Sequence, residues 1–448
     1  MTSGIGTLGV LDSAAAVKSR RCSAVDLAQA ALDRIARYNP QIKAVTRVLR
    51  DRALAEAAAI DAKVAMGKDP GPLAGVPYGV KDLFDVTGLA TTAGAARLVD
   101  APPARSDADA IQRLKAAGAV LVATLNMDEF AYGFVTDNAR WGLTRNPNDF
   151  RRFAGGSSGG SAAVVAGGIL PFALGSDTNG SIRIPASLCG IYGMKPTHGS
   201  ISAKGTFPFA RTFDDIGGFA RSIGDLAAID RVLRAEVEND ARDLRLPAML
   251  GGWFQTDLAP EMREALHQLS AALGTLPLVD LPEAAQARSA AFLITAFEGG
   301  DLHREALTCC PLSYDSATRD RLLAGAALPK AVYHEALAFR QVFEAQVNTL
   351  FARYDVLIAP ATFGPAPLID APFITINGVP QPARANLGLY TQPVSFVGLP
   401  VIAAPLAVAG LPFGVQLIAA KGRDRALLRF AETLEERGLT RGRCNVLP

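Results

Sequence analysis

The sequence predicts an α/β fold, and three observations carry that expectation. Amphipathic helical stretches alternate with short apolar, β-branched runs, as where Ser106–Ala117 is followed by AVLVATLNM at 119–127. Apolar residues make up 49% of the 448 residues and charged residues 20%, a balance that favours a large core over disorder. No uninterrupted apolar run reaches about 18 residues, so the apolar segments are expected inside a protein core and not across a bilayer. The length alone admits one large α/β unit or two to three smaller domains. No internal repeat, low-complexity tract or flexible linker divides the chain, and 1–448 is read as a single domain.

The elements follow in order. SAVDLAQAALDRIAR (23–37) reads as a helix, with Ser23 and Asp26 as a capping box and Val25, Leu27, Ala28, Ala31, Leu32 and Ile35 on one face. A second, alanine-rich helix is expected over 50–66. GPLAGVPYGVKDLFDVTG then gives a turn, a buried strand at Val76–Val80 and a loop, with Lys81 at the strand end. A lysine there is unusual, because burying an ammonium is costly. Ser106–Ala117 reads as a capped helix closed by Gly118, followed by the strand at 119–127. A helix starting near Ser158, a strand near Leu170–Leu174, the segment Gly190–Lys195, a loop to Phe213 and a helix at 223–235 come next.

From about 240 to 350 the pattern weakens. It gives strands at 247–251 and 276–280 and helices near 259–273, 285–298 and 328–352, read as a helical insertion or lid-like region. The core resumes with YDVLIAPAT (354–362), LPVIAAPLAV (399–408), FGVQLIAA (413–420) and a final helix at 423–437.

Several function classes recede on bulk properties. Lys+Arg is 45 against Asp+Glu 43, which gives no reason to expect nucleic acid or an anionic membrane as partner. The N-terminus carries no basic region ahead of an apolar run, so no secretory signal is expected. Cys22, Cys189, Cys309, Cys310 and Cys444 are odd in number and contain no CxxC pair. Free thiols in a reducing cytoplasm are the expectation, with no metal and no cofactor.

The chemistry concentrates at 154–190, AGGSSGGSAAVVAGGILPFALGSDTNGSIRIPASLCG. GGSSGGS (155–161) has the composition of a linker, but an apolar helix follows at once, which favours a tight turn feeding a helix N-terminus. A phosphate loop fits poorly, since no Lys–Ser/Thr pair closes the glycines. Gly155–Gly159 also fits GxSxG, the nucleophile elbow of α/β-hydrolases. That reading needs a histidine base, and His198, His267, His303 and His334 all lack a catalytic setting in the sequence. GSDTNGSIRIPAS (175–187) ends a strand in a tight turn that places Ser181 after Thr178, Asn179 and Gly180. Successive turn N–H groups make an anion nest, and beside a serine such a nest is an oxyanion hole.

Taken together, GVPYGVKDLFDV (75–86), LNMDEFAYG (125–133), GGSSGGSAAVVA (155–166), GSDTNGSIRIPASLCG (175–190) and GMKPTHG (193–199) resemble the amidase signature family of serine hydrolases. GLPVIAAP (398–405) and LPFGVQLIAA (411–420) resemble it more weakly, and the pieces occur in the family's order. The resemblance implies the amidase-signature fold, a central mixed β-sheet covered by helices on both faces. It implies a catalytic triad of Lys81, Ser157 and Ser181. Ser181 is then the acylated nucleophile, and Ser157, behind a cis peptide bond, the relay to Lys81. The N–H groups of Thr178, Asn179, Gly180 and Ser181 form the oxyanion hole. Ser158, Asp177 and Arg183 are implied supports: Ser158 as a helix cap and loop stabiliser, the other two holding the loop, with contact to a substrate carboxylate as a second reading of Arg183. The residues agree with this. A lysine buried at a strand end loses hydration and can be neutral near pH 7, fit to take a proton from Ser157.

Asn179-Gly180 replaces the Gly-Gly common in the family. With NMDEFAYG and TQPVSFVGLPV (391–401) it resembles the branch that hydrolyses 1-carboxybiuret. The resemblance implies a small, planar, urea-like, carboxylated substrate and a cationic residue to meet it. Arg384 is the leading candidate for that residue, with Arg140 and Arg183 as others. Tyr132 and Gly133 are implied pocket residues. Competing expectations are a broader amide or carbamate (urethane) hydrolase, the glutaminase subunit of a tRNA amidotransferase, and a non-catalytic binding module that keeps the fold. The resemblance leaves open both a homodimer and a small partner subunit.

Overall fold

The computed structural model describes residues 7–234 and 242–445. Its centre is an 11-stranded mixed sheet. From edge to edge the strands are Val45–Val48, Val120–Leu125, Pro77–Lys81, Phe172–Asp177, Asp215–Ala220, Tyr192–Lys195, Val401–Pro405, Gly414–Ile418, Val356–Pro360, Pro247–Leu250 and Leu278–Val279. Pro77–Lys81 runs parallel to both of its neighbours, and Phe172–Asp177 turns antiparallel against Asp215–Ala220.

The two-residue period of a strand sends alternate side chains to two cores. Leu121, Phe172 and Leu174 join one; Val120, Val122 and Ala173 join the other. On the second face lie the helices Ala24–Ile42, Arg50–Ala65 and Gly159–Ala166, through Leu27, Ala31, Ile35, Ala57 and the wholly buried Ala162–Ala166. Asp109–Ala116, Ile223–Leu233 and Asp424–Glu436 cover the first face, through Ile111, Leu114, Leu226, Ile229 and Leu427. Helices thus cover both faces of a mixed sheet. Among the described residues no helix is long and apolar enough to cross a membrane.

The sequence expectations and the structure part company at definite places. Helix 23–37 exists with its Ser23–Asp26 capping box but continues to Ile42. The helix expected from Ser106 starts at Asp109, behind Ala108 and with no side-chain cap. Asp107 is held instead by Arg52 and by the Thr87 N–H. Helix 223–235 is Ile223–Leu233; position 235, and residues 240–241 of the weakly patterned region, lie outside the described residues. The strand Asp215–Ala220, in mid-sheet, falls between the expected loop to Phe213 and the helix from 223, where the sequence reading assigns no element. Unexpected helices are Val10–Lys18, Arg183–Cys189, Arg304–Cys309 and Ser316–Ala326, and Phe373–Ile376 pairs with Val379–Pro382 as a hairpin.

In the 240–350 stretch, Pro247–Leu250 and Leu278–Val279 extend the main sheet. Ala284–Leu302 and Lys330–Phe351 are its long helices. The first reaches the serine-rich loops, where the Asn179 side-chain amide donates to Thr295 Oγ1 at 3.2 Å.

Candidate active site

Two parallel strands set the geometry. Val80 pairs with Leu174, so the carboxyl ends of Pro77–Lys81 and Phe172–Asp177 open on the same side of the sheet. Ligands of α/β sheets gather at such ends. Lys81 is the last residue of its strand and is fully buried. Its Nζ donates to Ser157 Oγ at 2.7 Å and to Ser176 Oγ at 2.9 Å. Burial pulls its pKa down to about 7, against the opposing charges of Asp128, Asp177 and Asp214. A neutral amine held on a serine hydroxyl can accept that serine's proton.

The Gly156–Ser157 peptide bond is cis. A Cβ on Gly156 would lie 2.4 Å from Asp128 Oδ2 and 2.5 Å from the Val135 nitrogen, so only glycine fits there. Ser158 occupies the N-cap position of Gly159–Ala166, yet its side chain does not cap the helix. Its hydroxyl donates to the Ser176 carbonyl at 3.1 Å, and its N–H to the Ser181 carbonyl at 3.3 Å. The expected cap is therefore a tie between the two serine turns and the central strand.

Asp177 and Arg183 hold the second turn. The Asp177 carboxylate accepts from the N–H groups of Gly180, Ile182 and Arg183 and from the Arg183 guanidinium. Burial pushes this acid up, but the Arg183 charge and hydrogen bonds outweigh it and hold the carboxyl at about 2. Arg183 is itself wholly buried. Its Nε donates to Asp177 Oδ2, Nη1 to Thr391 O and Gln416 Oε1, and Nη2 to Asp177 Oδ1 and Ser395 Oγ. All five guanidinium hydrogens are engaged, so none remains for a substrate carboxylate. Arg183 is therefore a structural support and not a substrate contact.

Gly180 also needs correction as an oxyanion donor. Its N–H points to Asp177 Oδ1 at 2.7 Å. Among the described residues no turn, loop or cap hydrogen bond is donated by the N–H groups of Thr178, Asn179 or Ser181. Flanking contacts fix their direction: Thr178 Oγ1 donates to Asp214 at 2.7 Å, and Thr391 Oγ1 donates to the Asn179 carbonyl at 2.6 Å.

Gly133 and Arg384 meet at one unexpected residue, Asp128. Its buried carboxylate accepts from the N–H groups of Val135, Thr136 and Asp137, and its own N–H donates to the Ser157 carbonyl at 3.3 Å. A Cβ on Gly133 would sit 2.6 Å from that carboxylate. Arg384, in the short helix Ala383–Asn386, lies 3.4 Å from Asp128 Oδ1 and donates to the Asp137 carbonyl at 2.9 Å. Its Nε and Nη2 are buried without a partner. Tyr132 is buried with its hydroxyl unpartnered, and Arg321 lies 3.7 Å over its ring. Arg140 instead stacks on Trp141 at 4.9 Å and joins none of these groups.

Sequence reasoning thus missed Ser176, Asp128, Thr391 and Arg321. Ser176 had a signal, since it follows the parallel partners of the Lys81 strand by two residues. Arg321 had none, standing in a helix that the pattern did not reveal.

The histidines do not assemble a hydrolase of the GxSxG type. His198 Nδ1 pairs with Asp215 Oδ1 at 2.9 Å, and His303 is enclosed by Phe130, Phe207 and Tyr314. His267 and His334 are exposed on outer helices. Among the described residues no group of three His, Cys, Asp or Glu side chains is placed to hold a metal ion.

Comparison with known proteins agrees with the geometry. Residues 26–314 and 253–428 match the Amidase family. The chain is 45% identical to AtzE, a 1-carboxybiuret hydrolase subunit of Pseudomonas sp. (strain ADP), over 96% of this chain and 98% of that one. It is 33% identical to a glutamyl-tRNA(Gln) amidotransferase subunit of Carboxydothermus hydrogenoformans, over 94% and 95% of the two chains. A solved structure of a vestigial protein complex that reveals the evolutionary origins of an s-triazine catabolic enzyme superposes with a TM-score of 0.93 at 44% identity, covering 98% of this chain and all of that one.

Proposed function

The chain belongs to the amidase family of amidohydrolases, and from that premise we propose that it cleaves a C–N bond of a small, planar, carboxylated urea-like substrate, with 1-carboxybiuret as the type. The observation that carries the catalytic part is the fully buried Lys81 amine, 2.7 Å from Ser157 Oγ in the turn tied to Ser181. The similarity to a 1-carboxybiuret hydrolase supports the substrate.

Neutral Lys81 takes a proton from Ser157 as Ser157 takes one from Ser181. Ser181 Oγ attacks the substrate carbonyl, and the N–H groups of Thr178, Asn179 and Ser181 meet the oxyanion. The C–N bond breaks as the proton returns through Ser157 to the leaving nitrogen. Water then enters, gives its proton to the same relay and releases the acyl group. The substrate carboxylate is assigned to Arg384, whose Nε and Nη2 lack protein partners, beside Tyr132 and Gly133. The five free cysteines support a cytoplasmic setting. The complex described for the structural neighbour supports a partner subunit.

Turnover of 1-carboxybiuret, with fluorophosphonate labelling of Ser181, tests the reading. Ser181→Ala should lose both while remaining folded; full activity in that variant refutes the mechanism. Turnover of simple amides or carbamates with none of carboxybiuret would move the substrate class. The similarity to amidotransferase subunits favours one other reading, a glutaminase, which partner-dependent glutamine hydrolysis would establish.

A further inference from the structure

The helix Ala284–Leu302 presents a stripe to the site that the proposed mechanism does not use. Arg288, Phe292 and Thr295 stand at i, i+4 and i+7, one above another on the same face. Thr295 holds the side chain of Asn179, next but one to Ser181 in the chain. Phe292 lies 6.0 Å from the guanidinium of Arg321, which covers Tyr132. Arg288 therefore belongs to a face already in contact with both the nucleophile loop and the Tyr132 wall.

Its own partners are unusual for a half-buried cation. Nε donates to Gln392 Oε1 at 3.2 Å and Nη2 to Asn386 Oδ1 at 3.0 Å, both neutral amides. Among the described residues no carboxylate pairs with it, and burial alone pulls its pKa below the ordinary guanidinium value. Two of its five hydrogens are engaged, which leaves three for a ligand. Asn386 shares the short helix Ala383–Asn386 with Arg384, whose Nε and Nη2 are likewise open. Two guanidinium groups thus flank one turn, and the protein supplies no anion for the first of them. A half-buried cation without a counter-charge is a natural seat for an anionic ligand, which would gain both its charge and its open N–H groups.

We propose that Arg288 joins Arg384 in a two-arginine subsite that clasps the carboxylate of the substrate. Arg288 is a specificity-determining residue, and Gln392 and Asn386 set its orientation. The inference rests on the proposed carboxylated substrate, but its test needs no turnover.

The probe is malonate, with malonamide as its uncharged counterpart, titrated calorimetrically into the full chain carrying Ser181→Ala. Malonate should bind at least tenfold tighter than malonamide. Arg288→Gln should weaken malonate at least tenfold and leave malonamide within twofold. Arg288→Lys, which keeps the charge without the planar fork, should fall between the two. Malonate affinity within twofold of the parent in Arg288→Gln overturns the proposal, as does equal weakening of both probes, which would make Arg288 a structural tie only. No preference for malonate in the parent also overturns it. Failure of the catalytic reading would appear separately, in turnover and Ser181 labelling.

Discussion

Replacing Lys81 with methionine is expected to flatten the rise of stability with pH. Burial takes the lysine from its ordinary 10.5 to about 7 in the folded protein. Between those values the unfolded chain binds the proton that the folded chain does not, so folding becomes more favourable as pH rises through that window. At about 1.4 kcal/mol per unit, the handicap on the folded state is roughly 4 kcal/mol at pH 7 and about 2 kcal/mol at pH 9. Methionine removes the titration and also strips Ser157 and Ser176 of a partner, a loss of about 1–3 kcal/mol for an unmatched buried hydroxyl. That loss does not vary with pH, so the slope isolates the lysine. Urea unfolding at pH 7, 8 and 9, followed by Trp141 and Trp253 fluorescence, should show the stability difference between the two proteins changing by about 2 kcal/mol. A difference constant to within about 0.5 kcal/mol would mean that Lys81 keeps its proton on folding, and the relay would have no base.

Because neutral Lys81 starts the relay, kcat/KM should fall about tenfold per pH unit below pH 7; a profile flat to pH 5 excludes this role. Asp128→Asn removes a charge that raises the Lys81 pKa, so the acidic limb should move to lower pH, whereas a purely structural residue would leave the limb in place. Arg183→Ala strands the buried Asp177 carboxylate and should cost about 3–5 kcal/mol in chemical unfolding; a loss under 1 kcal/mol would contradict the five-bond reading. In Gly180→Ala the new Cβ would lie 2.2 Å from Thr391 Oγ1 at a φ of +129°, so Ser181 labelling should slow at least about tenfold, and an unchanged rate would show the turn to be softer than its packing indicates.

The sheet was legible where apolar runs were continuous. Val120–Leu125 and Val356–Pro360 are buried at every position and read directly as strands. Asp215–Ala220 escaped notice because DIGGFA carries two glycines, residues that normally count against a strand. Their reason is steric: a Cβ on Gly217 would lie 1.9 Å from the Met194 carbonyl. The helix Ser316–Ala326 was hidden the same way. Gly325 lowers its helical pattern, yet its place is where that helix crosses Ala284–Leu302, with room for no Cβ beside the Ala296 carbonyl. The Ser106 cap failed for the opposite reason. A favourable local pattern lost to a tertiary contact, Arg52 on Asp107.

The same contrast separates the chemistry from the choice of substrate. Ser157, Ser158, Asp177, Ser181 and Arg183 fall within 27 consecutive residues, because a turn, the short helix Gly159–Ala166, one strand and a second turn suffice to place them. Lys81 comes from the adjoining parallel strand, and its anomaly, a cation closing an apolar run, is visible in one dimension. The groups assigned to substrate recognition obey no such economy. Arg288 and Thr295 come from one helix, Arg321 from another, Arg384 from a four-residue turn after a hairpin, and Tyr132 from the loop beyond the third strand of the chain. Each is ordinary in its own neighbourhood: an arginine on an amphipathic helix normally faces water. Only tertiary structure sets Arg288 against the neutral amides of Gln392 and Asn386 and leaves Nε and Nη2 of Arg384 without a protein partner. Substrate specificity in this fold can therefore change by single substitutions in the helices over the site, without disturbing the packed turns that perform the reaction. If so, Arg288→Gln should alter which ligands bind while the rate of Ser181 labelling by a small uncharged fluorophosphonate stays within about twofold of the parent.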